Sequence, residues 1–341
     1  MPGAGLLFLI GSYAINALSP KISGKFQVST TFIKLIPLLL MAVVGTIYGL
    51  THHMAGAASP ILVENFKTAS GSSAALFVAV CSTAFAYEGW VIATSINAEL
   101  KNAKRNLPIA LLVGGAVIMA VYVFYYIGIA GGASVETLRR EGASVAFTHV
   151  FGNILGNILN LFVAISCMGT LNGLMLGSTR GFYSIAVRGY GPAPKTFSEL
   201  SETTNMPTNS SIFALLVCAF WLVYFFGANL APKPWFGFFS FDSSELPIIT
   251  IYAFYIPIFV FFMKKARELS PFKRFVLPLL AIAGSVFMIV AAIYAHGIVP
   301  YQAAQAEGLF RLPVLFYLIV FALIMLIGLR FTGKKDLPPR S

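Results

Sequence analysis

The chain has 341 residues, of which 58% are hydrophobic and only 10% charged, where a soluble domain carries about 25% charged residues. With a mean hydropathy of +0.83, this composition excludes a soluble globular domain and places the chain in a lipid bilayer. The net charge of +11 lies in short connections between apolar runs, so it orients a membrane protein and does not mark a nucleic-acid partner.

In chain order, the pattern predicts nine membrane-spanning helices, at about 3–19, 28–50, 73–98, 107–130, 154–179, 210–228, 245–263, 274–297 and 311–330. The first has the length of a signal peptide. It lacks a basic leading segment and a small-residue cleavage site, so it reads as a short span. The seventh is the weakest, interrupted by Glu245, Pro247 and Pro257. The loop Ser134 to Val150 suits a short surface helix. The stretch Tyr190 to Ser210 is broken by Gly191, Pro192, Pro194 and Pro207. No soluble domain intervenes, so residues 1–341 form one membrane domain.

Lysine and arginine set the orientation. One set of connections and the tail holds 17 of them, the opposite set 5, with Lys34 left inside a span. The rule that cytoplasmic loops are basic predicts a cytoplasmic C-terminus and, after nine spans, an N-terminus of this chain outside.

The third run carries the sharpest signal. It reads Phe85-Ala86-Tyr87-Glu88-Gly89-Trp90, continues to Glu99, and ends in the basic cluster Lys101, Lys104 and Arg105. A carboxylate at bilayer depth costs at least about 2.5 kcal/mol and faces a cavity or a partner. Beside a glycine in mid-span, it points to a helix whose backbone opens to hold something. Either Glu88 senses a proton or faces a substrate ammonium, or it is a buried carboxylate paired with a neighbouring helix. Glu99, at the cytoplasmic end of the run, reads equally well as a solvated or paired helix-end charge.

Lys34 lies about six residues into the second span. It either snorkels to the cytoplasmic surface beside Lys21 and Lys25 or points inward as a fixed or titrating charge. In the fifth span, Gly169, Gly173 and Gly177 recur at every fourth position, on one helix face. Close packing of another helix is the plainer reading. Ser166, Thr170 and Asn172 beside them add groups suited to holding an ion or ligand.

Cys81, Cys167 and Cys218 all fall within apolar runs without metal-ligand spacing. The four histidines show no H-x-x-x-H spacing, and there is no phosphate-binding loop, nucleophile elbow or dinucleotide fingerprint. The sequence therefore points away from an enzyme, from ATP-driven pumping and from a bound metal or cofactor, and towards transport.

Three segments resemble the amino acid–polyamine–organocation permeases. Residues 85–90, with Glu99 and the stretch Lys101 to Pro108, look like that family's transmembrane helix 6. Ser178-Thr179-Arg180-Gly181-Phe182-Tyr183, running on to Gly191-Pro192, is similar to the cytoplasmic end of its helix 8. Ile22 to Val28, followed by Ile33-Lys34-Leu35, looks like the entry to its helix 5. The tone is closest to the light-subunit-like amino acid exchangers and their bacterial relatives. The resemblance implies an all-α, polytopic, partial inverted-repeat transporter fold whose nine spans are the family's helices 4 to 12. It implies a secondary permease or exchanger of amino acids in the plasma membrane, working by alternating access, with proton coupling or exchange. Phe85 matches the aromatic gate. Ala86, Tyr87, Glu88 and Gly89 match the unwound substrate-binding segment. Lys34 matches a lysine standing where sodium-coupled relatives hold a cation, with Ser166 and Thr170 as the facing ion-site surrogate. Glu88 departs from the light-subunit pattern, which has Gly there, and argues against a purely neutral substrate. The alternatives are a polyamine or cationic amino acid carrier, and a truncated, non-transporting membrane fragment.

Overall fold

A computed structural model describes all residues except 1, 69–72, 96–99, 307, 309–311 and 334–341. Glu99 and the basic residues Arg311, Lys334, Lys335 and Arg340 therefore lie outside the described residues.

The described chain is all-helical. Its elements are α1 (Pro2–Leu18), α2 (Pro20–Leu40), α3 (Thr46–Thr51), α4 (Ile61–Thr68), α5 (Ser73–Tyr87), α6 (Trp90–Ser95), α7 (Ala103–Gly132), α8 (Val135–Glu141) and α9 (Ser144–Thr179). They are followed by α10 (Gly181–Ala186), α11 (Pro194–Phe197), α12 (Thr208–Phe225), α13 (Pro247–Lys265), α14 (Leu277–Ile293), α15 (Val299–Ala306) and α16 (Pro313–Leu329). Among the described residues, six continuous helical stretches are long and apolar enough to cross a membrane, and three shorter apolar helices join them. Each of the nine apolar runs of the sequence overlaps one of these. Many large apolar side chains face outward, as a bilayer requires and water would not permit.

Helix bounds depart from the hydropathy where polar faces find partners. The second span was expected from residue 28, but α2 starts at Pro20, and a π-turn at Met41–Gly45 carries it into α3. Pro37 lies inside it and has no N–H to donate, a standard cause of locally loosened helical bonding. The first turns of α2 are polar because they face protein. Ser23 Oγ donates to Asn16 Oδ1 at 2.7 Å. Asn16 Nδ2 donates to Asn172 Oδ1 at 3.0 Å, and Asn172 Nδ2 donates to Ser23 Oγ at 3.1 Å and to Gln27 Oε1 at 3.3 Å. Asn16, Ser23 and Asn172 are all buried. This network ties α1, α2 and α9 together, and the Tyr13 hydroxyl reaches Ser178 Oγ at 2.6 Å beside it. Asn172→Ala is expected to cost about 1–3 kcal/mol, because it leaves buried amide and hydroxyl groups unpaired. Thermal unfolding of the purified protein checks this, and an unchanged midpoint would show that the network is dispensable.

A second seam joins α3 and the π-turn before it to α7. A Cβ added at Gly128 would overlap the Met41 carbonyl, one at Gly131 the Gly45 carbonyl, and one at Gly49 the Gly131 Cα. Small residues here let two backbones touch, which drives helix association where lipid offers no hydrophobic reward. The sequence reading had singled out another glycine series. In that series Gly169 packs against the Thr30 side chain, Gly173 against Gln27 and Gly177 against Ile92. The close-packing reading therefore holds at Gly169, where a Cβ would overlap Thr30, is marginal at Gly173, and does not hold at Gly177, where a Cβ would fit against Ile92 of α6.

The short surface helix expected in the loop after the fourth span is α8, capped by the Ser134 hydroxyl, which accepts from Thr137 N at 3.2 Å. The fifth-span helix starts ten residues before the apolar run, at Ser144. It is kinked at Gly152, whose φ of 75° belongs to the left-handed region that glycine tolerates. Behind the third span, Cys81 and Ala84 of α5 pack with Ile248 and Ile249 of α13, Ala291 and Ala292 of α14, and Tyr317 of α16. The Thr250 and Tyr317 hydroxyls meet there at 2.6 Å. This core forms the platform against which α5 ends.

Candidate functional site

The third span is not one helix. α5 ends at Tyr87, Glu88 and Gly89 form a turn, and α6 starts at Trp90. Glycine lowers helix stability by about 1 kcal/mol relative to alanine, and no side chain of residue 89 restores it. Three-residue bonds lead from the turn into α6, Val91 N to Glu88 O at a long 3.5 Å and Ile92 N to Gly89 O at 3.2 Å. A Cβ at Gly89 would meet no heavy atom within 4 Å, so the opened backbone borders free space. Ala86, Tyr87 and Gly89 are exposed on that side. Phe85 is placed on α5 by its backbone.

Three neighbours hold the two halves. Tyr87 packs on Tyr122 of α7, with ring centroids 5.4 Å apart. Trp90 packs on Tyr255 of α13 at 5.6 Å. Ile92 faces Gly177 of α9, where an added Cβ would meet it at ordinary contact distance.

The Glu88 carboxylate is half-buried between these supports. The Tyr255 hydroxyl donates to Glu88 Oε2 at 3.2 Å. Oε1 is shielded from solvent and has no hydrogen-bond partner among the described residues. Nearly all buried polar atoms are satisfied, so an unpaired carboxylate oxygen beside an unwound backbone stands out. No basic side chain pairs with Glu88 among the described residues, and Lys34 in particular does not.

Lys34 is half-buried on α2, one turn beyond Thr30. Thr30 lies against Gly169 and Gln27 against Gly173, so α2 and α9 run antiparallel here. That register puts Lys34 level with Ser166. Thr170 lies to the side of this seam, exposed, and its hydroxyl bonds back to the Ser166 carbonyl at 3.2 Å.

Sequence reasoning missed Tyr255 at this site and the pairing of His296 with Glu245. Tyr255 stood in the weak seventh span, 167 residues from its partner, with nothing but its polarity in an apolar run to mark it. His296 had been set aside with the other histidines, yet its Nε2 lies 3.1 Å from Glu245 Oε2. Two apolar cavities of about 270 Å³ each lie elsewhere, one lined by Trp221, Pro247 and Tyr317, the other by Ile293, Gly297 and Leu312.

Apolar helices on this scale, with one broken at a carboxylate in mid-span, define a multi-pass membrane protein built as helical transporters are. A family model described as amino acid permease matches residues 3–324, and the chain belongs to that family. The family is one of transporters, not enzymes. The chain is 28% identical to the serine/threonine exchanger SteT of Bacillus subtilis (strain 168), over 84% of this chain and 64% of the exchanger. It is 26% identical to the cystine/glutamate transporter of Homo sapiens, over 57% of this chain and 38% of that protein. It is 25% identical to the b(0,+)-type amino acid transporter 1 of Homo sapiens, over 65% of this chain and 44% of the transporter. The chain thus spans less than two thirds of the length of these relatives.

Proposed function

We propose that this protein carries amino acids across the plasma membrane by alternating access, as an exchanger or with proton coupling. One observation supports the reading: the third span opens at Glu88 and Gly89 and holds a carboxylate oxygen with no protein partner among the described residues. Phe85, Ala86, Tyr87, Glu88 and Gly89 form the substrate segment, with free backbone groups for the α-amino and carboxylate groups of an amino acid. Lys34 and Ser166 occupy the coupling position, where a fixed positive charge takes the place of a bound cation, and Thr170, the third residue of the expected ion-site surrogate, stands beside the seam and not in it. Residues 1–341 act as one permease domain, with the C-terminus in the cytoplasm. A cationic amino acid or polyamine is favoured over a purely neutral substrate, because the unpaired oxygen of Glu88 suits an ammonium donor and no lysine or arginine neutralises it among the described residues.

The test is uptake of radiolabelled amino acids into vesicles containing the purified protein, with amino acid or only buffer inside and with or without a pH gradient. Uptake stimulated by internal amino acid supports exchange, and uptake stimulated by the gradient supports proton coupling. Neither uptake nor binding of any amino acid would overturn the reading. Lys34→Ala is expected to abolish uptake or its pH dependence. Unchanged kinetics in that variant would remove Lys34 from the coupling position.

A further inference from the structure

We propose that Tyr255 is a positioning residue that aims the Glu88 carboxylate and links α13 to the break, so that substrate charge selectivity depends on a hydroxyl one helix away from the opened segment. The inference rests on the reading of Glu88 as a substrate contact. Tyr255 touches both sides of Gly89: its hydroxyl donates to Glu88 Oε2 at 3.2 Å, and its ring packs on Trp90, the first residue of α6, at 5.6 Å. The ring is itself held by Tyr252 at 5.4 Å and Phe259 at 6.3 Å, both on α13. A carboxylate free to rotate offers either oxygen in any direction. One oxygen engaged by a phenol on an aromatic shelf leaves the other in a single direction, and here that other oxygen is the one without a partner. The same arrangement means that a displacement of α13 relative to α6 must break the hydrogen bond or carry Glu88 with it.

A tyrosine that only satisfied a buried carboxylate would affect folding and all ligands alike. A positioning residue changes the ratio between ligands. Tyr255→Phe removes the hydroxyl and keeps the ring contacts with Trp90 and Tyr252, so the break keeps its support. The experiment compares the full chain with Tyr255→Phe, Glu88→Gln and the double variant, measuring binding of L-lysine and L-leucine to protein in lipid nanodiscs, together with thermal unfolding. Tyr255→Phe should lower the lysine-to-leucine affinity ratio roughly five- to tenfold, less than the tenfold or more expected when a hydrogen bond to a charged group is itself lost, because the ammonium keeps its own bond to Oε1. Leucine binding should stay within about twofold of the parent. In the double variant, adding Tyr255→Phe to Glu88→Gln should change the ratio no further, since the two act through one atom group. An unaltered ratio in Tyr255→Phe, with a shifted ratio in Glu88→Gln, would overturn the inference and leave the Glu88 reading intact. Equal weakening of both ligands, with a lowered unfolding temperature, would also overturn it, in favour of a structural role. An unaltered ratio in Glu88→Gln would overturn the Glu88 reading, and this inference with it.

Discussion

Glu88→Gln is expected to weaken binding of a cationic amino acid by roughly ten- to a hundredfold, while a neutral amino acid changes by no more than about twofold. The substitution keeps the shape of the side chain and the bond from the Tyr255 hydroxyl to one oxygen. It removes the charge on the open side, where an ammonium would otherwise make a charge-assisted bond in a setting poor in water. No lysine or arginine pairs with Glu88 among the described residues, so the lost charge has no local replacement. If Glu88 instead carries the coupled proton, the variant flattens the pH–rate profile and spares the lysine-to-leucine ratio. The titratable groups around it are the phenols Tyr252 and Tyr255 of α13 and, one residue away, the pair Tyr87 and Tyr122. A variant matching its parent in both substrate range and pH profile would make Glu88 a structural residue.

Gly128→Leu is expected to be the most disruptive single change in the scaffold. A side chain there would run into the Met41 carbonyl, a backbone atom that cannot swing aside. Overpacking costs about 1–3 kcal/mol even where side chains yield, and more where backbone must part. Pushing α7 away also opens the neighbouring contacts of Gly131 and Gly132 with Gly45 and Ala146. The control lies on the same helix: a Cβ at Gly114 would meet nothing within 4 Å, so Gly114→Leu tests the bare effect of adding a side chain to α7. The measurement is the unfolding temperature and monodispersity of both variants in detergent. Loss of monodisperse protein for Gly128→Leu, with near-parent behaviour for Gly114→Leu, is the expected pair. Equal behaviour of the two would mean that the seam between α7 and the π-turn at Met41–Gly45 is not close-packed.

The placement of the spans was legible because the burial of apolar residues in lipid is a local property of composition. Runs such as 107–130 and 311–330 announce themselves without reference to any partner, and α7 and α16 follow them closely. The break at Glu88 and Gly89 was legible for the same reason: a carboxylate and a glycine in an apolar run conflict with an uninterrupted lipid-facing helix, whatever surrounds them. Where a polar stretch was helical because another helix satisfied it, local composition misled. The first turns of α2 read as a basic connection, yet Ser23 and Gln27 face Asn172 from across the fold.

The sequence by itself determined that this is an all-α membrane protein, where its helices lie and which one opens. Each of these follows from the cost of leaving backbone or charge unsatisfied in hydrocarbon. Only the tertiary structure decided which glycines carry close contacts, because Gly114 and Gly128 are identical in sequence terms and differ in whether the π-turn at Met41–Gly45 lies against them. Only the tertiary structure decided how Glu88 is held. A hydrogen bond between residues 167 positions apart depends on two helices arriving side by side, and no local pattern records that meeting.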